Sequence, residues 1–396
     1  MSHCQAPLNK PTLRPRCRPG QGSPILGAPF AALFLLLGTA FFAASTARAA
    51  ERVVRKEAPF PTILDPATAS DATPLRYEVL RGDFHMHTVH SDGVLSPVDR
   101  VIEAWEYGFD VIAITDHRNF QAYAEAKPMA ETLGLLLLRG METGIREQEH
   151  LVALDFSADY EPRDPHRWAE TPDEATVFYR QQWPRLAAAG GFVLYPHPHV
   201  GLRETMLWGI GQSLLGGIEL KNDFVYDEWG TVESHGTYWY PFAFEWAVEH
   251  NLTVFANSDV HQRREGDQAV TLVLARDWSE DGVMEALRGG RTVAWFNNML
   301  CGHEWVLDML MASLVEVRFI RMADNSSFLR FQNHGPVALT ALITGTPLGT
   351  ISLGPYEDVL ASVRRLPNTV TITWTNVYTR PTENLSTTYT LSEIAE

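Results

Sequence analysis

Cysteine is nearly absent from this chain of 396 residues: Cys4, Cys17 and Cys301 are the whole complement. The first two fall in an N-terminal stretch read below as a removable export signal. A mature protein then keeps Cys301 alone, which excludes an intramolecular disulfide and a cysteine-based zinc site. Basic residues are scarce as well, with 32 Lys and Arg against 48 Asp and Glu and a formal net charge of −16. No basic stripe runs along any segment, and non-specific nucleic-acid binding draws on Lys and Arg contacts to phosphate. The composition speaks against a nucleic-acid partner. A small anionic substrate stays compatible, because bound divalent cations reverse the local sign. No internal repeat organises the chain.

Lys10, Arg14, Arg16 and Arg18 precede an apolar stretch from about Ala28 to Ala44, which ends at Ala47-Arg48-Ala49. This is the order of a secretory signal with an A-x-A cleavage site, which predicts a periplasmic or extracellular protein. Its basic region is long for a signal, which fits translation starting further downstream. Removing its five basic residues from the 32 leaves 27 against 48 acidic ones, a net charge of −21. If the signal stays uncleaved it becomes a membrane anchor, at the short edge of what spans a bilayer. Asn251, Asn325 and Asn384 open matches to the glycosylation acceptor pattern, which are read as chance.

Residues 50–76 hold Pro59, Pro61, Pro66 and Pro74 and read as an extended lead-in. Strands and helices then alternate over 77–300. Val79–Phe84 and Asp110–Thr115 read as strands around a helix from Pro97 to Tyr107 with Ser96 as its N-cap. Further short apolar runs at Leu135–Leu138, Leu151–Phe156, Phe192–Tyr195, Ile218–Leu220 and Thr253–Ala256 alternate with helical stretches at Asp173–Ala188 and Pro241–Glu249. Nearly continuous apolar strands separated by helices predict a parallel sheet closed into an α/β barrel. A helix over 301–313 joins it to residues 314–396. There, short alternating strands such as Val315–Phe319, Ala338–Ile343 and Thr369–Trp374 predict a small all-β sandwich of immunoglobulin-like type.

Reactive groups of such a barrel belong at the C-terminal ends of its strands. His85-Met86-His87 follows the first strand, with Ser91-Asp92-Gly93 just beyond; residues two apart point to one face, so both imidazoles can meet one cation while Asp92 reaches an adjacent one. Alone, the pattern fits a pair of surface histidines equally well. The second strand ends in Thr115-Asp116-His117, the third in Gly140-Met141-Glu142, the fifth in Tyr195-Pro196-His197, and the one at Thr253–Ala256 in Asn257-Ser258-Asp259-Val260-His261. Five strand ends carrying His, Asp or Glu point to a metal-dependent hydrolase.

Taken together, Asp83-Phe84-His85-Met86-His87-Thr88 with Ser91-Asp92-Gly93, Ile114-Thr115-Asp116-His117, Glu142, Tyr195-Pro196-His197-Pro198 and Ser258-Asp259-Val260-His261 resemble the motifs of the polymerase and histidinol phosphatase (PHP) family over roughly residues 77–295. The resemblance implies a distorted (βα)7 TIM-like barrel, up to three divalent cations (zinc, manganese or iron) and hydrolysis of phosphoesters. It assigns His85, His87, Glu142 and Asp259 to one metal. Glu142 would bridge to a second held by His150 and His197, and Asp92, His117 and His261 would hold a third. Asp92 stands where some members have His, and His150 is placed by its position before Leu151-Val152-Ala153-Leu154. Asp83 and Asp116 would orient neighbouring imidazoles.

Glu142, Asp259 and His197 are the residues expected to be indispensable to catalysis, through in-line attack of a metal-bound hydroxide on a small phosphorylated substrate. Arg118, Arg203, Arg263, Arg264 and His199 lie in loops from which they could meet a phosphate, with Arg118 and His199 the preferred neighbours of the site. Two other functions use the same residues: hydrolysis of a non-phosphate ester or amide, and a non-catalytic envelope protein that binds metal or carbohydrate.

Overall fold

A computed structural model of the chain describes residues 55–56, 58–68, 73–146, 149–162, 172–224, 232–234, 236–322, 326–363 and 369–390. The export signal expected over residues 1–49 lies outside them. Among the described residues no helix is long and apolar enough to cross a membrane.

The extended lead-in contains a short strand, β1 (Ile63–Leu64), which pairs antiparallel with β2 (Arg76–Asp83). There follow α1 (Pro97–Glu106), β3 (Val111–Ile114), α2 (Gln121–Leu133), β4 (Leu136–Arg146), β5 (Glu149–Leu154), α3 (Pro172–Ala188), β6 (Phe192–Tyr195), α4 (Glu204–Gly211) and β7 (Gly217–Asn222). A small hairpin of β8 (Val232–Ser234) and β9 (Thr237–Trp239) precedes α5 (Pro241–His250) and β10 (Thr253–Asn257). The local chemistry of α1 is legible at its first turn: the Ser96 hydroxyl accepts from Asp99 N at 3.1 Å and Pro97 occupies a position whose N–H would have no helical partner.

These strands run side by side in the order β10-β7-β6-β5-β4-β3-β2. The two ends of the row meet beyond the strands, where Met86 and Val260 form a parallel bridge, His87 N donates to Val260 O at 3.0 Å and Asp259 N donates to His85 O at 2.9 Å. The next strand, β11 (Val270–Ala275), pairs antiparallel with β2 and spans the same seam. Its Thr271 hydroxyl accepts from Ala256 N at 3.0 Å and donates to Ala256 O at 2.9 Å.

The expected all-parallel sheet is corrected to a mixed one. Only residues 147 and 148 separate β4 from β5, too few for a crossover, so these strands form an antiparallel pair, and β5 is antiparallel to β6 as well. Side chains of Leu80, Phe84, Val111, Ala113, Leu138, Val152, Leu154, Leu194 and Phe255 form one buried cluster with the apolar face of α6 (Glu280–Arg288). Each large side chain in it contributes about 1.5–3 kcal/mol on burial.

The helix expected over 301–313 is shifted. β12 (Thr292–Phe296) turns through Asn297 and Asn298, both at positive φ, into β13 (Met299–Gly302), and α7 (Glu304–Leu314) starts only after it. Asn tolerates the left-handed conformation that a two-residue hairpin turn requires. Met299-Leu300-Cys301 is therefore a buried strand, and Cys301 is no part of a helix. The remaining elements are β14 (Val315–Arg321), β15 (Ser327–Asn333), β16 (Leu339–Thr344), β17 (Gly349–Leu353), β18 (Asp358–Val363), β19 (Thr369–Arg380) and β20 (Glu383–Thr390). This all-β region forms a three-stranded sheet, β14-β15-β18, and a second group, β20-β19-β16-β17, joined to the first region through parallel pairing of β13 with β19. A single apolar cluster runs from Phe109 and Ile112 through Leu310 and Leu314 to Phe331, Leu339 and Trp374.

Candidate metal centre

The ligands expected at strand ends gather around Glu142, a carboxylate with 1% exposure. Its Oε1 lies 2.8 Å from His150 Nδ1 and 3.1 Å from His197 Nε2, while Oε2 lies 3.3 Å from His85 Nε2, 3.2 Å from His87 Nε2 and 3.2 Å from His117 Nδ1. Asp259 faces the same pair of imidazoles, its Oδ1 at 3.3 Å from His85 Nε2 and 3.0 Å from His87 Nε2. Further out, Asp92 Oδ2 lies 3.5 Å from His117 Nε2 and 3.4 Å from His261 Nε2. Among the described residues, three groups have donor atoms mutually close enough for a cation: His85, His87, Glu142 and Asp259; His87, Asp92, His117 and His261; and His117, Glu142 and His150. His197 approaches the third group through its contact with Glu142. The first group is buried, whereas the Asp92 side chain is 53% exposed, so the cluster opens to solvent on that side.

Glu142 is not at a strand end as the sequence suggested. It sits in the middle of β4, which continues into the hairpin with β5, and its neighbour in register is His117 beyond the end of β3. The hairpin also carries His150 back toward Glu142, pairing it across from Gly144. Backbone strain is concentrated here: His197, Asp259 and Arg118 have φ of 28°, 52° and 60°. Such conformations cost of order 1–3 kcal/mol each and persist where surrounding structure over-determines them. Gly93 allows the Asp92 loop to lie against the ligand strand, since a Cβ there would come within 2.5 Å of the His87 carbonyl.

Hydrogen bonds set the tautomers. Glu219 Oε1 can only accept, so His85 Nδ1 at 2.9 Å carries the proton and Nε2 presents its lone pair to the cluster. The Ser91 hydroxyl donates to Asp116 Oδ1 at 2.7 Å and thus accepts from His87 Nδ1 at 3.3 Å. His261 Nδ1 lies 2.8 Å from the Asp259 carbonyl, which again turns Nε2 outward. His85 Nε2, His87 Nε2 and Asp259 Oδ1 are buried and have no hydrogen-bond partner among the described residues. Donors bound to one cation at about 2.0–2.3 Å stand roughly 3.0–3.5 Å apart, the spacing seen here. The residues fit divalent cations with mixed nitrogen and oxygen ligands.

Electrostatics agree. Burial alone would lower the His87 pKa, but Asp259 and Glu142 raise it to about 9; His85 is raised well above its ordinary value against the same burial by Asp259, Glu142 and Glu219. Burial would raise Glu142 and Asp259, yet the surrounding imidazoles hold both below the usual carboxylate range. The pocket demands positive charge at its centre, from protons or from cations.

Asp116 orients the His87 imidazole indirectly, as expected, whereas Asp83 meets no imidazole among the described residues and acts on the ligand backbone. Asp83 accepts from His85 N at 3.3 Å, from Ser258 N at 3.2 Å, from the Ser258 hydroxyl and from Arg264 Nη2 at 2.7 Å, so it ties the His85 and Asp259 loops together through their backbones. Asp116 accepts from Thr88 N at 2.8 Å and reaches His87 only through Ser91. Arg264 is buried on Asp83 and near Glu103, its side chain out of reach of solvent, which corrects its expected role, while Arg263 is exposed. Arg203 lies at the start of α4. Arg118 is exposed, with its N–H donating to Glu142 O at 2.8 Å. His199 is half-buried with Nδ1 at 2.6 Å from the His197 carbonyl; burial and the neighbouring His197 lower its pKa to about 4.

The sequence reading missed Glu219. Its carboxylate, fully buried on β7, meets His85 Nδ1 and Asn257 Nδ2 through Oε1, each at 2.9 Å, and His197 N at 2.7 Å and Asn222 Nδ2 at 2.9 Å through Oε2. The signal was an acidic residue inside the otherwise apolar run Ile218-Glu219-Leu220.

Residues 83–175 match the family described as PHP domain. A 5'-3' exoribonuclease of Haemophilus influenzae is 36% identical over 77 residues, 19% of this chain and 28% of that protein. A PolC-type DNA polymerase III of Lacticaseibacillus paracasei is 41% identical over 86 residues, 21% of this chain and 6% of that protein. The chain thus spans less than a third of the length of either relative. Among solved structures, a two-domain protein of Bacteroides vulgatus, described as containing a predicted PHP-like metal-dependent phosphoesterase, aligns over 85% of this chain and 99% of that one, with a TM-score of 0.69 and 23% identity. That likeness shows a shared fold.

Proposed function

We propose that this chain, which carries a PHP domain, is an exported metal-dependent phosphoesterase acting on a small phosphorylated compound. One observation supports this above the others: each oxygen of the buried Glu142 is engaged by a different set of imidazoles, the arrangement of a carboxylate shared between neighbouring cations. Divalent cations supply polarisation of a phosphoryl oxygen and acidification of water to near neutrality. Within the chain, His85, His87, Glu142 and Asp259 would hold the inner cation, Glu142, His150 and His197 a second, and Asp92, His117 and His261 the outer one. Glu219 fixes the rings and backbone of the inner ligands, and the buried strands behind them exclude bulk water from that side. The exposed Asp92 side leaves an approach for substrate, with Arg118 and His199 as neighbours that could meet its phosphate.

The acidic balance of the chain favours a small substrate over a polynucleotide, although one relative is named for action on RNA. Export rests on the basic and apolar N-terminal segment. The test is metal analysis of the purified protein with a panel of phosphomonoesters and phosphodiesters. Bound metal with turnover of a small phosphoester, lost in Glu142→Gln with a native-like circular dichroism spectrum, supports the proposal. Metal binding without hydrolysis of any of them, or retained turnover in the variant, refutes it.

A further inference from the structure

A second cavity, of about 490 Å³, lies apart from the histidines, bordered by the lead-in segment, the loop before β11 and the β12–β13 turn. Its volume is that of a small-molecule site. Lys56, Arg81, Lys221, Asp223, Asp267 and Trp295 give it its character. Two of its cations are matched: Lys221 Nζ lies 3.1 Å from Asp223 Oδ1, and Lys56 Nζ lies 3.3 Å from Asp267 Oδ1. The third is not.

Arg81 is 7% exposed, and its Nε and Nη1 have no hydrogen-bond partner among the described residues. Its guanidinium is held between aromatic faces, 5.6 Å from the Trp295 ring centre and 6.0 Å from that of Phe109. Asp110 acts on the Arg81 charge only through space, its oxygens being engaged by Arg55 and by the Arg81 backbone N–H at 2.8 Å. A buried cation that shares its one acidic neighbour with Arg55 and hydrogen-bonds to no carboxylate among the described residues is costly, and aromatic faces offset only part of that cost. One positive charge is therefore in excess, in a chain whose overall balance is strongly acidic.

We infer that this cavity binds a small organic monoanion, a carboxylate with an apolar or aromatic body, its charge on Arg81 and its body along Trp295. One excess charge matches a carboxylate rather than a phosphate dianion, and the indole supplies a flat apolar wall. The site is independent of the proposed phosphoesterase chemistry.

Benzoate and its neutral analogue benzamide are the probes, titrated by calorimetry into the metal-loaded full chain. Benzoate should bind at least about tenfold more tightly than benzamide, and Arg81→Met should weaken benzoate by about 10- to 100-fold while leaving benzamide unchanged. If Arg81→Met does not fold, Trp295→Leu keeps the charge and should weaken benzoate several-fold without weakening acetate. Glu142→Gln, which disables the metal cluster, should leave benzoate affinity intact. No binding of benzoate at about 10 mM, equal affinity for benzoate and benzamide, indifference to both cavity variants, or loss of binding in Glu142→Gln would each overturn the inference.

Discussion

Glu219→Gln isolates the residue that ties two ligand loops together. The substitution keeps the volume and exchanges one accepting oxygen for a donating NH2. In the native protein all four contacts of the carboxylate, from His85 Nδ1, Asn257 Nδ2, His197 N and Asn222 Nδ2, come from donors at 2.7–2.9 Å. Glutamine can satisfy only the two that meet its oxygen, and its NH2 then faces the other two. Each buried donor left without an acceptor costs about 1–3 kcal/mol, so the metal-free protein should lose roughly 2–6 kcal/mol. If the amide oxygen stays on His197 N, the proton on His85 Nδ1 loses its acceptor, the imidazole is freed to turn, and metal affinity should fall about 10- to 100-fold. Competition against a chelator measures the affinity, and thermal unfolding of the chelated protein measures the stability. Affinity within twofold of wild type, in a variant with a native circular dichroism spectrum, would show that Glu219 does not position the ligands.

Glu142→Gln should cost more than any residue that only supports a ligand, with loss of bound metal and a fall in kcat/KM of about 10²-fold or more, read by metal analysis and steady-state kinetics. Gly93→Ala should push the Asp92 loop off the His87 carbonyl, destabilising the protein by about 1–3 kcal/mol and lowering metal stoichiometry at the exposed side first; unchanged stoichiometry would remove Asp92 from the ligand set. In chelated protein, His87 with its pKa raised from 6.5 to about 9 binds a proton that the unfolded chain releases. That contribution, of order 3 kcal/mol, is complete below pH 6.5 and disappears as pH rises through 9. Melting of the chelated protein should therefore weaken across that window, and the dependence should vanish when metal is restored. Ser96→Ala should cost about 1 kcal/mol with metal content unchanged, because the α1 cap touches no ligand.

Much of the candidate site is legible because its donors are chemically unusual at strand ends. His85, His87, His117, His197, Asp259 and His261 each follow a short apolar run, and a polar group there has little structural reason to recur. Glu142 and His150 are harder to place. Their positions depend on a hairpin of two connecting residues, where an alternating expectation of strand and helix assumes a crossover. Cys301 was misplaced for a related reason: Met299-Leu300-Cys301 is a continuous apolar run, which a buried strand and a helix present alike. Arg264 looks like a loop cation in sequence, and only burial on Asp83 reveals a structural role.

Identity, order and spacing of the donors are local properties, so the amino-acid sequence alone determined which side chains are offered and that they suit divalent cations. Which atoms face one another is decided by closure of the sheet, where the Met86–Val260 bridge brings the first and last ligand loops together. The same closure buries Glu219 between loops that are distant in sequence, and it leaves Arg81 as a buried cation against aromatic faces, its acidic neighbour Asp110 shared with Arg55. Partnership and burial are sums over contacts between remote segments. No local pattern carries them, and they come into being only when the chain packs.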